Sequence, residues 1–270
     1  MSRTGGLARI RLHGNPGTAE GRRLGGIRSL ASHRKKLDGF VLLRHVQFPR
    51  QSVALAELLG ILAGDGHVGV YQVTVTTNSL TDKEHAKYVK SLLEGLFKVP
   101  ASILFKKGKN ACVVVVSSKE VCRFLVKQGL VAGHKIRGRL AMPEWIKAKK
   151  TYRTAFVRGL FDTDGCVYVD IHRIRGRVYK NVGMAFTNRS LPLLADFRRT
   201  LTDLGFSPTQ KTQYTVFLRR EKEIKWYFNL IGSSNPKHLQ KIADYFSLKR
   251  EESHSGLVRR TRNAVYRKVS

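Results

Sequence analysis

Two stretches of this chain end in the same pair of residues, 99 positions apart. Leu58-Leu59-Gly60-Ile61-Leu62-Ala63-Gly64 runs into Asp65-Gly66, and Val157-Arg158-Gly159-Leu160-Phe161-Asp162-Thr163 runs into Asp164-Gly165. Each stretch reads as a buried helix and carries small residues four apart, Gly60 with Gly64 and Gly159 with Thr163. Positions four apart share one helix face, and small residues there let two backbones approach closely. Packed along that face, the helices would end side by side. Asp65 and Asp164 would then be neighbours across a pseudo-twofold axis.

Two carboxylates held together bind a divalent metal, and oxygen donors select Mg²⁺-like ions. Such an ion activates water and stabilises the attacking and leaving oxygens of a phosphodiester. The plain alternative is structural, because glycine commonly follows a helix end. Against it, a carboxylate at a helix C-terminus opposes the helix dipole, and here two copies accept that cost.

The rest of the chain says what these carboxylates would meet. Its 270 residues hold 50 Lys+Arg against 19 Asp+Glu, a net charge of +31. Residues 1–50 carry +9 and residues 248–270 carry +5, which leaves +17 for the middle. A field of that sign attracts polyanions, nucleic acid first. An anionic membrane surface is the second candidate, but no basic amphipathic helix with a bulky apolar face appears. No apolar run reaches the length of a membrane span. Cys112, Cys122 and Cys166 are too sparse for a disulfide scaffold and lack zinc spacing.

The elements recur in order. An apolar helix over 52–64 precedes a strand at 71–77, a helix opened by Thr81 and Glu84 as a capping box, strands near 102–106 and 111–117, and a helix at 119–128. A second apolar helix over 151–162 precedes strands at 167–171 and 179–187, bridged by the basic stretch 172–177. A helix capped by Ser190, a strand at 214–218 and helices at 221–231 and 236–246 follow. Thr77-Asn78 and Thr187-Asn188 recur, as do Lys135 and Lys237, so the halves read as two copies of one αββαββα unit. The domain reading is a basic Gly/Arg-rich extension at 1–50, expected to be irregular, repeats at 51–148 and 149–247, and a basic tail at 248–270.

The two Asp-Gly segments resemble the LAGLIDADG motif, with Asp65 and Asp164 at its second, metal-binding Asp. The resemblance covers about 51–247 and includes Ile231 to Leu239, which looks typical of single-chain, two-motif LAGLIDADG homing endonucleases. The stretch from His13 to Leu30 also looks like an extension seen on some bacterial members. The first motif departs from the pattern at Ala63 and Gly64, whereas the second keeps Asp162. The resemblance implies an α+β fold in which two pseudo-symmetric αββαββα repeats form a DNA-binding saddle around paired motif helices. It implies sheets lying in the major groove and Mg²⁺- or Mn²⁺-dependent cleavage of both strands. It also implies a basic residue that assists each centre, placed here at Lys135 and Lys237. No intein-type His-Asn pair followed by Cys, Ser or Thr closes the chain, so an intron-encoded enzyme is expected, cytoplasmic and on the nucleoid when bound to DNA.

Candidate DNA contacts are Lys106, Lys107 and Lys109 at one hairpin, Arg173, Arg175, Arg177 and Lys180 at a second, and Lys211, Arg219 and Arg220 near a third. Phosphate contact is the default for each, and base readout the sharper alternative. Gln72, Thr74 and Thr76 alternate with Val73 and Val75 and would face the groove. In the second half, Met184 and Phe186 align with Thr74 and Thr76, which leaves the register open. His67 reads as a surface residue, Cys166 as small and buried, and Trp145, Trp226 and Phe228 as core. The expected function is a monomeric, site-specific double-strand endonuclease acting on DNA. An RNA-binding intron maturase with intron RNA as partner, or a non-cleaving DNA-binding regulator, stays open. Retention of both carboxylates favours the nuclease over the regulator.

Overall fold

The computed structural model describes residues 10–11, 17–36, 45–133 and 140–250. The chain divides into two compact units, Met1–His45 and Val46–Ser270. In the first unit, helix α1 spans Ala19–Lys36, where the sequence reading expects irregular chain. The Thr18 hydroxyl accepts from the Gly21 N–H at 3.0 Å, and Arg23 pairs with Glu20. Interior glycines cost about 1 kcal/mol each, which a helix of 18 residues with a satisfied start can carry.

In the second unit, α2 (Val53–Gly64) starts on Ser52, whose side chain accepts from the Leu55 N–H as expected of an N-cap. Strands β1 (Gly66–Val68), β2 (Gln72–Asn78), β3 (Ser102–Phe105) and β4 (Ala111–Ser117) form an antiparallel sheet of order β1-β2-β4-β3. Helices α3 (Lys83–Phe97) and α4 (Lys119–Lys127) belong to the same repeat. After the short helix α5 (Glu144–Lys147), α6 (Lys150–Asp164) opens the second repeat. Its strands β5 (Gly165–Ile174), β6 (Arg177–Thr187), β7 (Thr209–Thr212) and β8 (Thr215–Leu218) form a sheet of the same order, β5-β6-β8-β7. Helices α7 (Leu191–Asp203), α8 (Glu221–Leu230) and a last one over 236–250 complete it. The sequence reading misses β1, α5 and β7, all short. Each sheet packs one face on helices, so Val73, Val75, Val114, Val116, Met184 and Phe186 are buried.

The pairing closes the register question. Gly66 pairs with Val75, nine residues on, whereas Gly165 pairs with Phe186, twenty-one residues on. Phe186 thus takes the place of Val75 and Met184 that of Val73, not those of Thr76 and Thr74. The longer hairpin differs by an even number, because an odd insertion would turn every following side chain to the other face. The two Thr-Asn pairs are one residue out of step. The longer hairpin is regular nearly to its tip: only Arg175-Gly176 turns, at φ 48° and 76°, so most of the basic bridge is strand.

Two expected caps also differ. Thr81 and Glu84 make no capping box. Instead Asn78 Oδ1 accepts from the N–H groups of Leu80 and Thr81 at 2.8 and 3.1 Å. The Ser190 hydroxyl donates to the Leu140 carbonyl rather than capping α7, and Asn188 Oδ1 accepts from the Ser190 N–H at 2.7 Å. An amide side chain at a strand end already points at the turn that follows it.

Candidate active site at the paired helix ends

Helices α2 and α6 pack on each other more extensively than any other helix pair. A Cβ on Gly60 would run into the Phe156 carbonyl oxygen and come within 3.0 Å of Leu160 N. A Cβ on Gly159 would run into the Glu57 carbonyl oxygen and come within 3.0 Å of Ile61 N. Each contact maps onto the other by a shift of 99 positions, the signature of a local twofold. At the C-terminal ends, a Cβ on Gly64 would overlap the Thr163 side chain and stand 3.3 Å from the Asp164 carboxyl carbon. The Thr163 hydroxyl, which donates to the Leu160 carbonyl at 3.0 Å, is the group that lies against Gly64. The Asp164 carboxyl therefore lies against the residue preceding Asp65, as the glycine spacing requires.

Asp65 is exposed and Asp164 half-buried. Asn188, just past β6, donates from Nδ2 to Asp164 Oδ2 at 2.6 Å and fixes that carboxylate. The donors gathered here are carboxylate oxygens, which suits a hard cation. Among the described residues, no group of three or more His, Cys, Asp or Glu could hold a metal ion. A cation at Asp65 and Asp164 would complete its shell from water or phosphate oxygens, a habit of Mg²⁺ at phosphate-processing sites.

Behind the carboxylates lies a polar network that the sequence reading misses. Glu57, 2 % exposed, accepts from Arg158, from Tyr88 Oη at 2.8 Å and from Ser234 Oγ. Asp162 accepts from Ser233 Oγ and from the Ser234 N–H at 2.7 Å. Asn235 donates to Asp82 Oδ1 at 2.8 Å and to the Asp162 carbonyl at 3.1 Å. Glu57, Asp82 and Tyr88 belong to the first repeat and the rest to the second, so the 231–239 segment stitches the halves together. The signal was available: Glu57 is the sole charge in a 12-residue apolar helix, and a charge buried there must have partners. Removing one partner of such a pair costs about 3–5 kcal/mol. Arg158→Met should therefore lower the urea midpoint sharply, and Glu57→Gln/Arg158→Met should recover part of the loss.

Burial sets the ionisation of this layer. His85 and His238 are desolvated to pKa values of about 4, with Nε2 of His85 lacking a hydrogen-bond partner among the described residues. The unfolded chain takes those protons near pH 6.5, so each histidine's contribution to stability is lost as the pH falls from 6.5 towards 4. Burial also raises the Asp162 carboxyl to about 7. Its contribution has the opposite sign, fully present in acid and lost as the pH rises through 7. Two protons outweigh one, so denaturant stability should show a net decline between pH 6.5 and 4, each histidine losing up to about 3 kcal/mol and Asp162 offsetting about as much as one of them. Asp162→Asn should steepen the decline; a flat profile would show the rings hydrated.

The other expected site residues scatter. Lys237 Nζ lies 2.7 Å from Asp82 Oδ1 in an ion pair within the network, which gives it a structural place at the repeat junction. Lys135 lies outside the described residues, as do residues 12–16 and the tail over 251–270. Gln72, Thr74 and Thr76 share the helix-free side of β2. Lys106, Lys107 and Lys109 are exposed at the β3–β4 turn. Strand alternation separates the second basic group: Arg175 sits in the turn and Arg177 is on the helix-free side. Arg173 and Lys180 are on the helix side, where the Lys180 carbonyl accepts from Tyr245 Oη. Lys211 is exposed on β7. The Arg219 guanidinium lies 4.7 Å from the Phe217 ring centroid, and Arg220 pairs with Glu223. His67 is exposed as expected. Cys166 is exposed rather than buried, because its strand position points to the open side. Trp226 is 42 % exposed against Phe206, whereas Trp145 and Phe228 pack on the core.

Comparison with known proteins follows the same division of the chain. A family model described as a LAGLIDADG-like domain matches residues 52–129 and 151–241. Among curated proteins, the tRNA-splicing ligase RtcB of Methanopyrus kandleri is 25 % identical over 224 residues, 73 % of this chain. The chain spans 23 % of that relative's length. Among solved structures, meganuclease I-SmaMI bound to uncleaveable DNA is similar with a TM-score of 0.51 at 11 % identity, over 74 % of this chain and 92 % of that one. LAGLIDADG meganuclease I-AabMI bound to uncleaved DNA is similar at 0.51 and 12 % identity, over 73 % and 92 %. At such identities the likeness is one of fold.

Proposed function

Because this chain belongs to the LAGLIDADG family, we propose that it is a site-specific DNA endonuclease that hydrolyses both strands of a duplex with a divalent cation, Mg²⁺ in the cell. The observation that carries this reading is the approach of Asp164 to the end of α2 at Gly64-Asp65, with glycine allowing the backbones to touch. Asp65 and Asp164 would hold the cation. When bound, it would supply an activated water and neutralise charge on the scissile phosphate. The chain's own part is placement. The helix pair presents both carboxylates, Asn188 holds one in a fixed rotamer, and the helix-free sides of the two sheets receive the duplex. The basic hairpin ends neutralise its phosphates.

Both motifs lie in one chain, so one molecule serves one site as a monomer. A relative of the same fold, I-SmaMI, is described bound to its uncleaved DNA target in the presence of calcium ions, which supports the divalent-cation reading. An origin inside an intron and action on the nucleoid in the cytoplasm are further parts of the proposal, and assistance to intron RNA is the alternative to it. No described helix is long and apolar enough to cross a membrane.

The test is a selection. The purified chain is incubated with Mg²⁺ on a randomised duplex library beside the Asp65→Asn/Asp164→Asn variant. Discrete double-strand cuts by the wild type alone are expected. Tight binding without cuts would move the reading to the regulator, or to the maturase if intron RNA binds better. Affinity should fall by about 10³-fold or more between 50 and 200 mM salt, the result for six or more phosphate contacts. An affinity unmoved by salt would remove the polyanion.

A further inference from the structure

The helix-free sides of the two sheets carry different chemistry. In the first sheet, Thr74 lies opposite Val115, and Thr76 opposite Val113. Leu104 flanks Val113 from the other strand and is 56 % exposed. The two threonines and two valines are half-buried, open to whatever lies on the sheet. No side chain over 72–78 or 111–117 is charged. The lysines of this sheet stand at its edge, at 106, 107 and 109. Its centre therefore offers methyl groups and two hydroxyls, with a cationic rim at one end and the exposed His67 and Gln72 bordering it on the same side.

At the equivalent positions the second sheet has Ala185 opposite Phe217 and Thr187 opposite Thr215, but its first hairpin runs further and carries other chemistry. Asp170 lies opposite Asn181, and His172 opposite Tyr179, all on the helix-free side, with Arg177 beyond them at the hairpin end. Asp170, Tyr179, Asn181 and Arg177 are exposed. This side can donate and accept hydrogen bonds and carries both signs of charge.

In the major groove the thymine C5-methyl is the apolar feature of a base edge, and the other bases are read through donors and acceptors. A floor of methyl groups leaves those donors and acceptors unpartnered, at a cost, while it buries thymine methyls at a gain. The cationic rim commits the occupant to a polyanion. We infer that, if the DNA reading above holds, the bases over the centre of the first sheet are selected for thymine methyl groups by Thr74, Thr76, Leu104, Val113 and Val115, whereas the outer bases of the half-site on the second sheet are read by hydrogen bonds from Asp170, Arg177 and Asn181. The target is then chemically lopsided, although the two repeats share one fold. A buried methyl is worth about 0.8 kcal/mol, or about fourfold in affinity, per contacted thymine.

The probe is deoxyuridine, which pairs as thymine does but lacks the methyl group. The full-length Asp65→Asn/Asp164→Asn variant first selects bound duplexes from a random library. Arg177→Ala then identifies the second half-site as the one whose base preferences relax. Replacing thymine by deoxyuridine should weaken binding about fourfold per contacted base in the other half-site, and distinctly less at the outer bases whose preferences Arg177→Ala relaxes. Val113→Thr and Val115→Thr keep shape and strand preference, and each should shrink the deoxyuridine effect in a double-mutant cycle. Equal deoxyuridine effects at those outer bases, no effect in either half-site, no coupling to the valine variants, or no relaxation by Arg177→Ala would each overturn the inference while leaving the nuclease reading intact. Failure to enrich any sequence would overturn the nuclease reading and this inference with it.

Discussion

Asp65→Asn and Asp164→Asn should each cut the cleavage rate by about 10³-fold or more, several kcal/mol of transition-state stabilisation at 1.36 kcal/mol per decade. Duplex affinity should stay within a few fold. Asparagine keeps the size and much of the hydrogen bonding of aspartate but removes the anionic charge a cation needs. The surroundings tolerate the change: Asp65 is exposed, and Asp164 already accepts from an amide, Asn188 Nδ2. Strand-resolved cleavage in Mg²⁺ measures the first quantity and equilibrium binding in Ca²⁺ the second. Joint loss of binding and cutting would make both residues structural. Unchanged cleavage would place the chemistry elsewhere.

A large effect on stability is expected at Gly159. Gly159→Ala should destabilise the second unit by about 3 kcal/mol or more, at the upper end of overpacking costs. The new methyl would meet the Glu57 carbonyl oxygen and the Ile61 nitrogen, which are backbone of the facing helix and cannot swing away. Relief requires the helices to part along their whole contact, which also moves Asp164 away from Gly64 and Asp65. Gly95 on α3 is the internal control, with nothing within 4 Å of an added Cβ. Gly95→Ala should stabilise by about 0.5–1 kcal/mol through helix propensity alone. Urea unfolding of both variants decides the matter. Equal behaviour would mean that the helix pair is not close-packed in solution.

The layer behind the carboxylates bears on both predictions. Glu57, Arg158, Asp162 and the 233–237 segment fix α6 along its axis relative to the first repeat. Lys237 spends its charge on Asp82 within this layer. Its recurrence at a spacing close to that of Lys135 reads in sequence as a paired catalytic role, but the burial of Asp82 demands a cation whatever the chemistry nearby.

By itself the sequence determined the repeat, the two apolar helices with small residues four apart, and the carboxylates at their ends. Those features are local or periodic: glycine spacing sets how near two backbones can come, and hydrophobic alternation sets which side of a strand is buried. The family followed from the same residues. Tertiary structure alone decided the register of the long hairpin, because pairing partners lie up to twenty-one residues apart and similar dipeptides misalign them by one. It decided that Arg173 and Lys180 turn from the open side that Arg177 faces, since one residue of register reverses a side chain. It also decided the partners of Glu57, Asp162 and Lys237, which come from positions up to 177 residues away. A buried charge in a sequence announces that a partner exists, and the fold then supplies which one.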